Sequence, residues 1–124
     1  MNLNELFVTE FSEHIGYPVA EDIYEDDESD IYFTFSYEDE TPTQFGDDRP
    51  LFDTAYIQLR MHTPKEFNYH ELKRRTGEYF ESRGFQITSK FSFLETTYES
   101  VTQSATSNKR SRCTVFKMNY TDKH

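Results

Sequence analysis

Four histidines and one cysteine are the side chains of this sequence best suited to chemistry at neutral pH. The histidines are His14, His62, His70 and His124, and the cysteine is Cys113. Zinc sites and metalloproteases hold such residues at short fixed spacings, as in HxH, HExxH or paired Cys and His. None of those spacings occurs. His62 lies in a predicted strand and His70 in the first turn of a predicted helix, so the two could come near each other. If the protein were an enzyme, such as a small nuclease or toxin, they would be its only plausible catalytic centre.

Alternating acids raise the possibility of a calcium loop. Asp26, Glu28 and Asp30 occupy every second position, as the ligands of an EF-hand loop do. The sixth position of that loop is Ile31 instead of Gly, and the twelfth is Tyr37 instead of Glu. The motif therefore fails, and a solvated acidic segment explains the pattern better.

Cys113 is expected to be a packed residue and not a nucleophile. It has Arg112 beside it and no His nearby in sequence, whereas a reactive cysteine needs a base that stabilises the thiolate. The sequence also has no GxSxG, Walker or GxGxxG motif. We therefore predict no catalytic residue, no metal and no cofactor. A single cysteine excludes an intramolecular disulfide and fits a reducing compartment.

Charge divides the sequence sharply in two. Residues 1–48 contain fifteen Asp and Glu and no Lys or Arg, a formal charge of −15; residues 49–124 contain thirteen Lys and Arg against eight acids, a charge of +5. A subunit with two unlike faces suits head-to-tail association or a place between two unlike partners. The overall acidity disfavours general nucleic-acid binding. The sequence shows no signal peptide and no apolar run long enough to span a membrane, so we expect a protein that is cytosolic when made.

The elements that position these residues begin with a short helix. Asn2 and Glu5 have the spacing of a capping box, and Gly16 followed by Pro18 ends the helix. The apolar residues that recur at helical spacing predict its buried face: Leu3, Leu6, Phe7, Phe11 and Ile15.

Two strands follow, separated by a long loop. Residues 20–30 are predicted to be an acidic surface connection, and the alternation from Ile31 to Tyr37 predicts the first strand. Residues 38–51 form the loop. In the second strand, which ends at Pro64, one set of alternating residues faces inward: Ala55, Ile57, Leu59 and Met61.

The second helix is marked at both ends. Asn68 is predicted to be the N-cap with Glu71 at N3, and Phe67 packs on Leu72 as a hydrophobic staple. Gly84 is expected in the left-handed conformation just after the helix. The inward stripe is Leu72, Thr76, Tyr79 and Phe80.

A long hairpin completes the chain. Its third strand runs from Phe85 to about Tyr98, and its fourth places Thr114, Phe116, Met118 and Tyr120 on one face. The predicted fold is a single α+β domain over residues 1–124, with a four-stranded, mainly antiparallel sheet packed against two helices in the order helix–β–β–helix–β–β.

Five stretches resemble the small tail terminator, or tail completion, proteins of long-tailed bacteriophages, the family of the lambda tail terminator. They are residues 16–20 (GYPVA), 45–50 (FGDDRP), 54–69 (TAYIQLRMHTPKEFNY), 83–85 (RGF) and 112–120 (RCTVFKMNY). Residues 21–48 are more acidic than is typical of the family. The resemblance implies a non-enzymatic virion protein at the head–tail junction. Such a protein caps the tail tube as a ring, commonly of six copies, and contacts the tail tube protein and the head connector.

Charged and polar residues in the loops and on the strands and helix are candidates for these interfaces: Asp47, Asp48, Arg49, Arg60, His62, Lys73, Arg74, Arg75, Lys109 and Arg110. For the basic residues of the second helix, the alternative is a solvated helix face near its negative end. For the whole protein, the alternatives are a head completion or connector protein, an acidic DNA mimic that inhibits a host nuclease, and an enzyme.

Overall fold

The structure is a computed structural model that describes residues 2–24, 29–38, 52–98 and 108–123. Helix α1 has three consecutive segments, Leu3–Glu5, Leu6–Phe11 and Ser12–Ile15, of which the middle one is π-helical; helix α2 is His70–Ser82. The strands are β1 Val19–Glu21, β2 Tyr32–Tyr37, β3 Phe52–Pro64, β4 Gln86–Tyr98 and β5 Asn108–Lys123. They form one sheet in the order β1-β2-β3-β5-β4.

The predicted four-stranded sheet is wrong, because the sheet has a fifth strand and is mixed. Strand β1 pairs in parallel with β2, with Val19 opposite Phe33 and Glu21 opposite Phe35; the other three pairings are antiparallel. The acidic composition after Val19 concealed this strand. An edge strand needs backbone hydrogen bonds and few apolar side chains, and charge at an edge is common. The fold is nevertheless α+β, as expected.

Both helices lie on one face of the sheet, where alternate strand residues form the core. Ile57, Leu59 and Met61 of β3 are fully buried, which confirms the predicted alternation. Phe33 and Phe35 of β2 extend the same face. Strand β5 adds Phe116 and Met118, and the helices contribute Leu6, Phe7, Phe11, Leu72 and Phe80.

Helix α1 packs through stacked aromatic rings. Phe7 lies on Phe35 with ring centroids 4.5 Å apart, and Phe11 meets Phe33 edge to face at 5.0 Å. The side chain of Asn2 accepts a hydrogen bond from the backbone N–H of Glu5 at 3.1 Å, one of the two bonds of the predicted capping box. The π-helical segment, Leu6–Phe11, was not predicted from the sequence pattern.

Helix α2 buries the predicted stripe, and Gly84 follows it with a φ of +92° as expected. Its start differs from the prediction, since the helix begins at His70 with Tyr69 at the N-cap position. Asn68 still accepts a hydrogen bond from the His70 N–H at 3.3 Å. Glu71 forms no box with Asn68 because Arg74 binds its carboxylate.

Strands β4 and β5 form the predicted hairpin. They pair from Gln86 opposite Asn119 to Tyr98 opposite Asn108, with one irregularity between Ile87 and Ser89. Strand β4 is the last strand of the sheet, so its outer side has no strand partner within the described residues. The predicted loop 38–51 and the hairpin tip lie almost wholly outside the described ranges.

Candidate functional site

The face of the sheet opposite the helices is the candidate site, and we call it the open face. The side chains on it alternate with the core residues of β2 to β5. Its central members are Thr34, Arg60, His62, Phe91, Phe93, Glu95, Cys113 and Val115. No described helix packs on this face. Phe91 and Phe93 are exposed on it, whereas Thr34, Cys113 and Val115 are buried.

Two phenylalanines form an exposed apolar patch at the outer end of the open face. Phe91 is 43% exposed and Phe93 is 41% exposed, and their rings lie 6.2 Å apart. Both belong to β4, the long edge strand. Beneath them, Val115 and Cys113 are the cross-strand neighbours of Phe91 and Phe93 and are buried. An unpaired edge and exposed aromatic rings together are typical of a protein-contact surface.

Beside this patch, the open face holds a polar cluster. His62 lies directly opposite Cys113 in the β3–β5 register. Its Nδ1 atom is 3.9 Å from a carboxylate oxygen of Glu95, and its Nε2 atom is 3.2 Å from the Thr34 hydroxyl. The ring of Tyr32 stacks on the imidazole at 4.5 Å. These contacts from three other strands fix the position of the ring.

Burial favours the neutral forms of two groups in the cluster, His62 and Cys113. Desolvation, with a smaller contribution from the charge of Arg60, lowers the pKa of His62 to about 4. Desolvation, with the Glu95 charge second, raises the pKa of the Cys113 thiol to about 12. At neutral pH the imidazole of His62 and the thiol of Cys113 are therefore both uncharged.

The predicted interface residues are divided between the two faces of the sheet. Arg60 and His62 lie on the open face, whereas Lys73, Arg74 and Arg75 belong to α2 on the other side. The structure therefore does not bring these two groups together.

The basic residues of α2 have partners within their own subunit. Arg74 binds the carboxylates of Glu71 and Glu78. Arg75 donates to the backbone carbonyl of His14 at 3.4 Å, and the Lys73 ammonium lies 5.9 Å from the centre of the Tyr69 ring. These contacts are typical of a solvated helix face, and the interface role of the three residues stays a prediction.

Five predicted interface residues have side chains that lie outside the described part of the structure. Lys109 and Arg110 have backbone positions in β5 opposite Thr97 and Thr96, but their side chains are not among the described ones. Asp47, Asp48 and Arg49 lie outside the described residues.

The two histidines proposed above as a possible catalytic centre lie on opposite sides of the sheet. His62 is on the open face, and His70 is an exposed residue at the start of α2 in the helix layer. No shared centre is formed by these two side chains.

Sequence reasoning missed the importance of Phe91, Phe93 and Glu95. The alternation placed the two phenylalanines in a strand but gave no sign that no helix would cover them. Glu95 approaches His62 only because β5 lies between β3 and β4 in the sheet. The one available signal was the length of β4. A thirteen-residue strand is longer than the thirteen-residue helix α2, so the helix cannot cover all of its apolar residues.

The two ends of the sheet differ in charge. Helix α1 with β1 and β2 carries acids and no Lys or Arg, and it is joined to the sheet edge by the bond from Asn4 to Glu21 at 3.0 Å. Helix α2, β4 and β5 lie toward the other end and hold Lys90, Arg112 and Lys117 among their cations. The sequence division thus becomes a division across the molecule.

No protein-family model, no curated protein and no solved structure matches this chain. Among the helices that the structure describes, none has the length and apolar character needed to cross a membrane.

Proposed function

We propose that this protein is a tail terminator, a virion protein that closes the tail tube of a long-tailed bacteriophage as a ring and joins it to the head connector. The proposal depends on the sequence resemblance and on the unlike edges of the sheet, which suit a contact between successive copies in a ring. It would act in the host cytoplasm during assembly and at the head–tail junction of the finished particle. It would bind copies of itself, the tail tube protein and the connector.

The observation that carries the proposal is that the two edges of the sheet are unlike. One edge is the three-residue strand β1, bordered by the exposed acids Glu21 and Asp22. The other is the thirteen-residue strand β4 with Phe91, Phe93 and Lys90. A surface patch on one side that fits a different patch on the next copy gives a heterologous contact, which generates a ring when its rotation closes.

The composition of the exposed patch is typical of an interface between proteins. Aromatic residues are enriched at the centres of such interfaces, and Phe91 and Phe93 lie next to each other on β4, whose outer side has no strand partner within the described residues. Leu94, 45% exposed, adds apolar surface on the other side of the same edge. A monomer would leave this surface in water at a cost in free energy that grows with the apolar area.

The first experiment is light scattering behind a sizing column over a range of protein and salt concentrations, with negative-stain images of any large species. The expected result is a ring of about six copies, formed in solution or when purified tail tubes are added as a template. Tubes whose ends remain bare at saturating protein would contradict the proposal.

A matched pair of variants tests whether the edge strand makes the contact. Phe91→Lys combined with Phe93→Lys should abolish ring formation and tube capping while leaving the circular dichroism spectrum unchanged. Val8→Lys is the control, because Val8 is equally exposed, at 45%, but lies on α1 away from β4. Equal loss in both variants would show that general charge, and not the β4 patch, controls assembly.

A further inference from the structure

We infer that His62, Glu95 and Cys113 form a Zn²⁺ site on the open face. One ligand atom from each residue lies within 4.8 Å of the other two. The inference is independent of the proposed function, since it depends only on these side chains and on the strands that hold them. It departs from the sequence-based expectation of no metal.

The register of three strands brings the ligands together. His62 on β3 and Cys113 on β5 are directly opposite each other. Cys113 is opposite Phe93 on β4, and Glu95 is the next residue of β4 on the same face. The ligands thus come from central and edge strands of a hydrogen-bonded sheet, which holds their backbone positions more firmly than loops would.

The ligand atoms, which lie within 4.8 Å of one another, must approach each other by about 1 Å at most to fit zinc. Zinc bonds of about 2.0–2.3 Å in tetrahedral geometry place ligand atoms roughly 3.3–3.7 Å apart. The separation between His62 Nδ1 and the Glu95 oxygen is 3.9 Å. Glu95 is long and 37% exposed in its side chain, so it can move toward the ion and also provides the route by which an ion enters.

The surroundings of His62 prepare its Nδ1 atom as the ligand. The Thr34 hydroxyl lies 3.2 Å from Nε2, so Nε2–H can donate to Thr34 while Nδ1 keeps its lone pair toward Glu95. A hydrogen-bond partner on the second ring nitrogen is the usual support of a metal-bound histidine. Tyr32 stacks on the imidazole and holds the plane of the ring.

The donor set selects zinc among common cations. One thiolate, one imidazole and one carboxylate suit Zn²⁺, whereas Mg²⁺ and Ca²⁺ prefer oxygen ligands alone. Binding replaces the thiol proton by the metal: the S–H bond breaks, the Zn–S bond forms and the proton passes to solvent, with no change of oxidation state. Three protein ligands leave a fourth position for water.

The test uses the full chain, freed of metal by a chelator and titrated with Co²⁺ as a visible substitute for Zn²⁺. We expect a single equivalent of Co²⁺ to produce tetrahedral absorption bands and a thiolate-to-cobalt charge-transfer band, both removed by Zn²⁺ added afterwards. The melting temperature should rise with Zn²⁺, because the ion binds the folded state. Absence of the charge-transfer band, or no competition by Zn²⁺, would overturn the site.

Variants distinguish metal binding at this site from metal binding by carboxylates in the acidic half of the chain. Cys113→Ser should remove the charge-transfer band, and Glu95→Gln, at a half-exposed position that tolerates substitution, should weaken Co²⁺ binding at least about tenfold. Thr34→Val should keep the band and weaken binding about 10–100-fold, as loss of a supporting hydrogen bond does. His14→Ala is the control with unchanged affinity. Binding that survives in Glu95→Gln at full strength would assign the metal to other carboxylates and refute the proposal.

Discussion

The imidazole of His62 makes stability depend on pH in a defined window. Its pKa is 6.5 when exposed and about 4 in the folded protein, because burial and the Arg60 charge disfavour the protonated ring. Between those values the unfolded chain binds more protons, so the free energy of unfolding falls as the pH falls. The stability is complete above about pH 6.5, and about 3 kcal/mol of it is lost by about pH 4.

Urea denaturation at several pH values between 4 and 7.5, in the presence of a chelator, measures this loss. His62→Gln should flatten the dependence relative to the wild-type protein, since the titrating group is gone. His70→Gln is the matched control, because His70 is exposed, and it should keep the wild-type slope. If both variants titrate as the wild type does, protons on other groups cause the acid sensitivity.

Cys113 should be nearly inert in the folded protein. Its side chain has no exposed surface, and burial raises the pKa of the thiol from 9.0 to about 12. At pH 8 this lowers the thiolate fraction about a thousandfold, and the thiolate is the reactive form. Labelling by an uncharged disulfide reagent should therefore be at least that much slower in buffer than in urea. Fast labelling in buffer would place Cys113 at the surface.

The residues of the candidate site could be predicted singly but not as a group. The sequence placed His62 and Cys113 in strands and gave Cys113 a packed position, which the structure confirms. Positions 62, 95 and 113 have no short spacing to reveal that they meet. Their proximity depends on strand order, which comes from packing of the whole sheet and not from local pattern.

Two glycines of the second helix region should respond oppositely to alanine. Gly84 has a φ of +92°, where a Cβ atom strains the backbone, so Gly84→Ala should cost about 1 kcal/mol. Gly77 lies inside α2, where alanine is the better helix former by up to about 1 kcal/mol. Its new Cβ would meet the Lys90 Nζ atom at 3.3 Å, the end of a flexible side chain that can move away.

Chemical denaturation of the two variants beside the wild type measures the change in the free energy of unfolding for each. Gly77→Ala should have equal or higher stability, and Gly84→Ala lower. Destabilisation of similar size in both would mean that the Gly77 side of α2 packs too tightly on β4 to admit a methyl group.

Elements with strong periodicity were predicted well, and elements defined by pairing were not. Strand β3 and the stripe of α2 followed directly from alternation and helical spacing. Strand β1 was missed because its three residues have too little pattern, and its stability comes from bonds to β2 such as that from the Phe33 N–H to the Pro18 carbonyl at 2.9 Å. The capping of α2 differed because the helix starts one residue later than predicted, which moves Glu71 from N3 to N2, where its carboxylate binds Arg74.

At the scale of the whole molecule, the order of the strands places the acidic and the basic parts of the sequence at opposite ends of the sheet. The acidic first third of the chain supplies α1, β1 and β2 at one end of the sheet, and the cations follow β2 in the sequence. Among the described residues, ion pairs that join the two halves lie at the surface. One example is the pair of Arg83 and Glu10, 2.7 Å apart, which is surface-exposed and contributes little to stability.

Exchanging charges between the β1 and β4 edges tests whether these two edges meet in the ring. Glu21→Lys reverses an exposed acid at the β1 edge, and Lys90→Glu reverses an exposed cation at the β4 edge. If the two edges meet in the ring, each single variant places like charges together and should weaken assembly at least about tenfold, with a steeper loss at low salt. The double variant restores opposite charges and should recover a large part of the assembly. Sedimentation velocity at low and high salt measures all four proteins. Losses that simply add in the double variant would mean that these two edges do not meet.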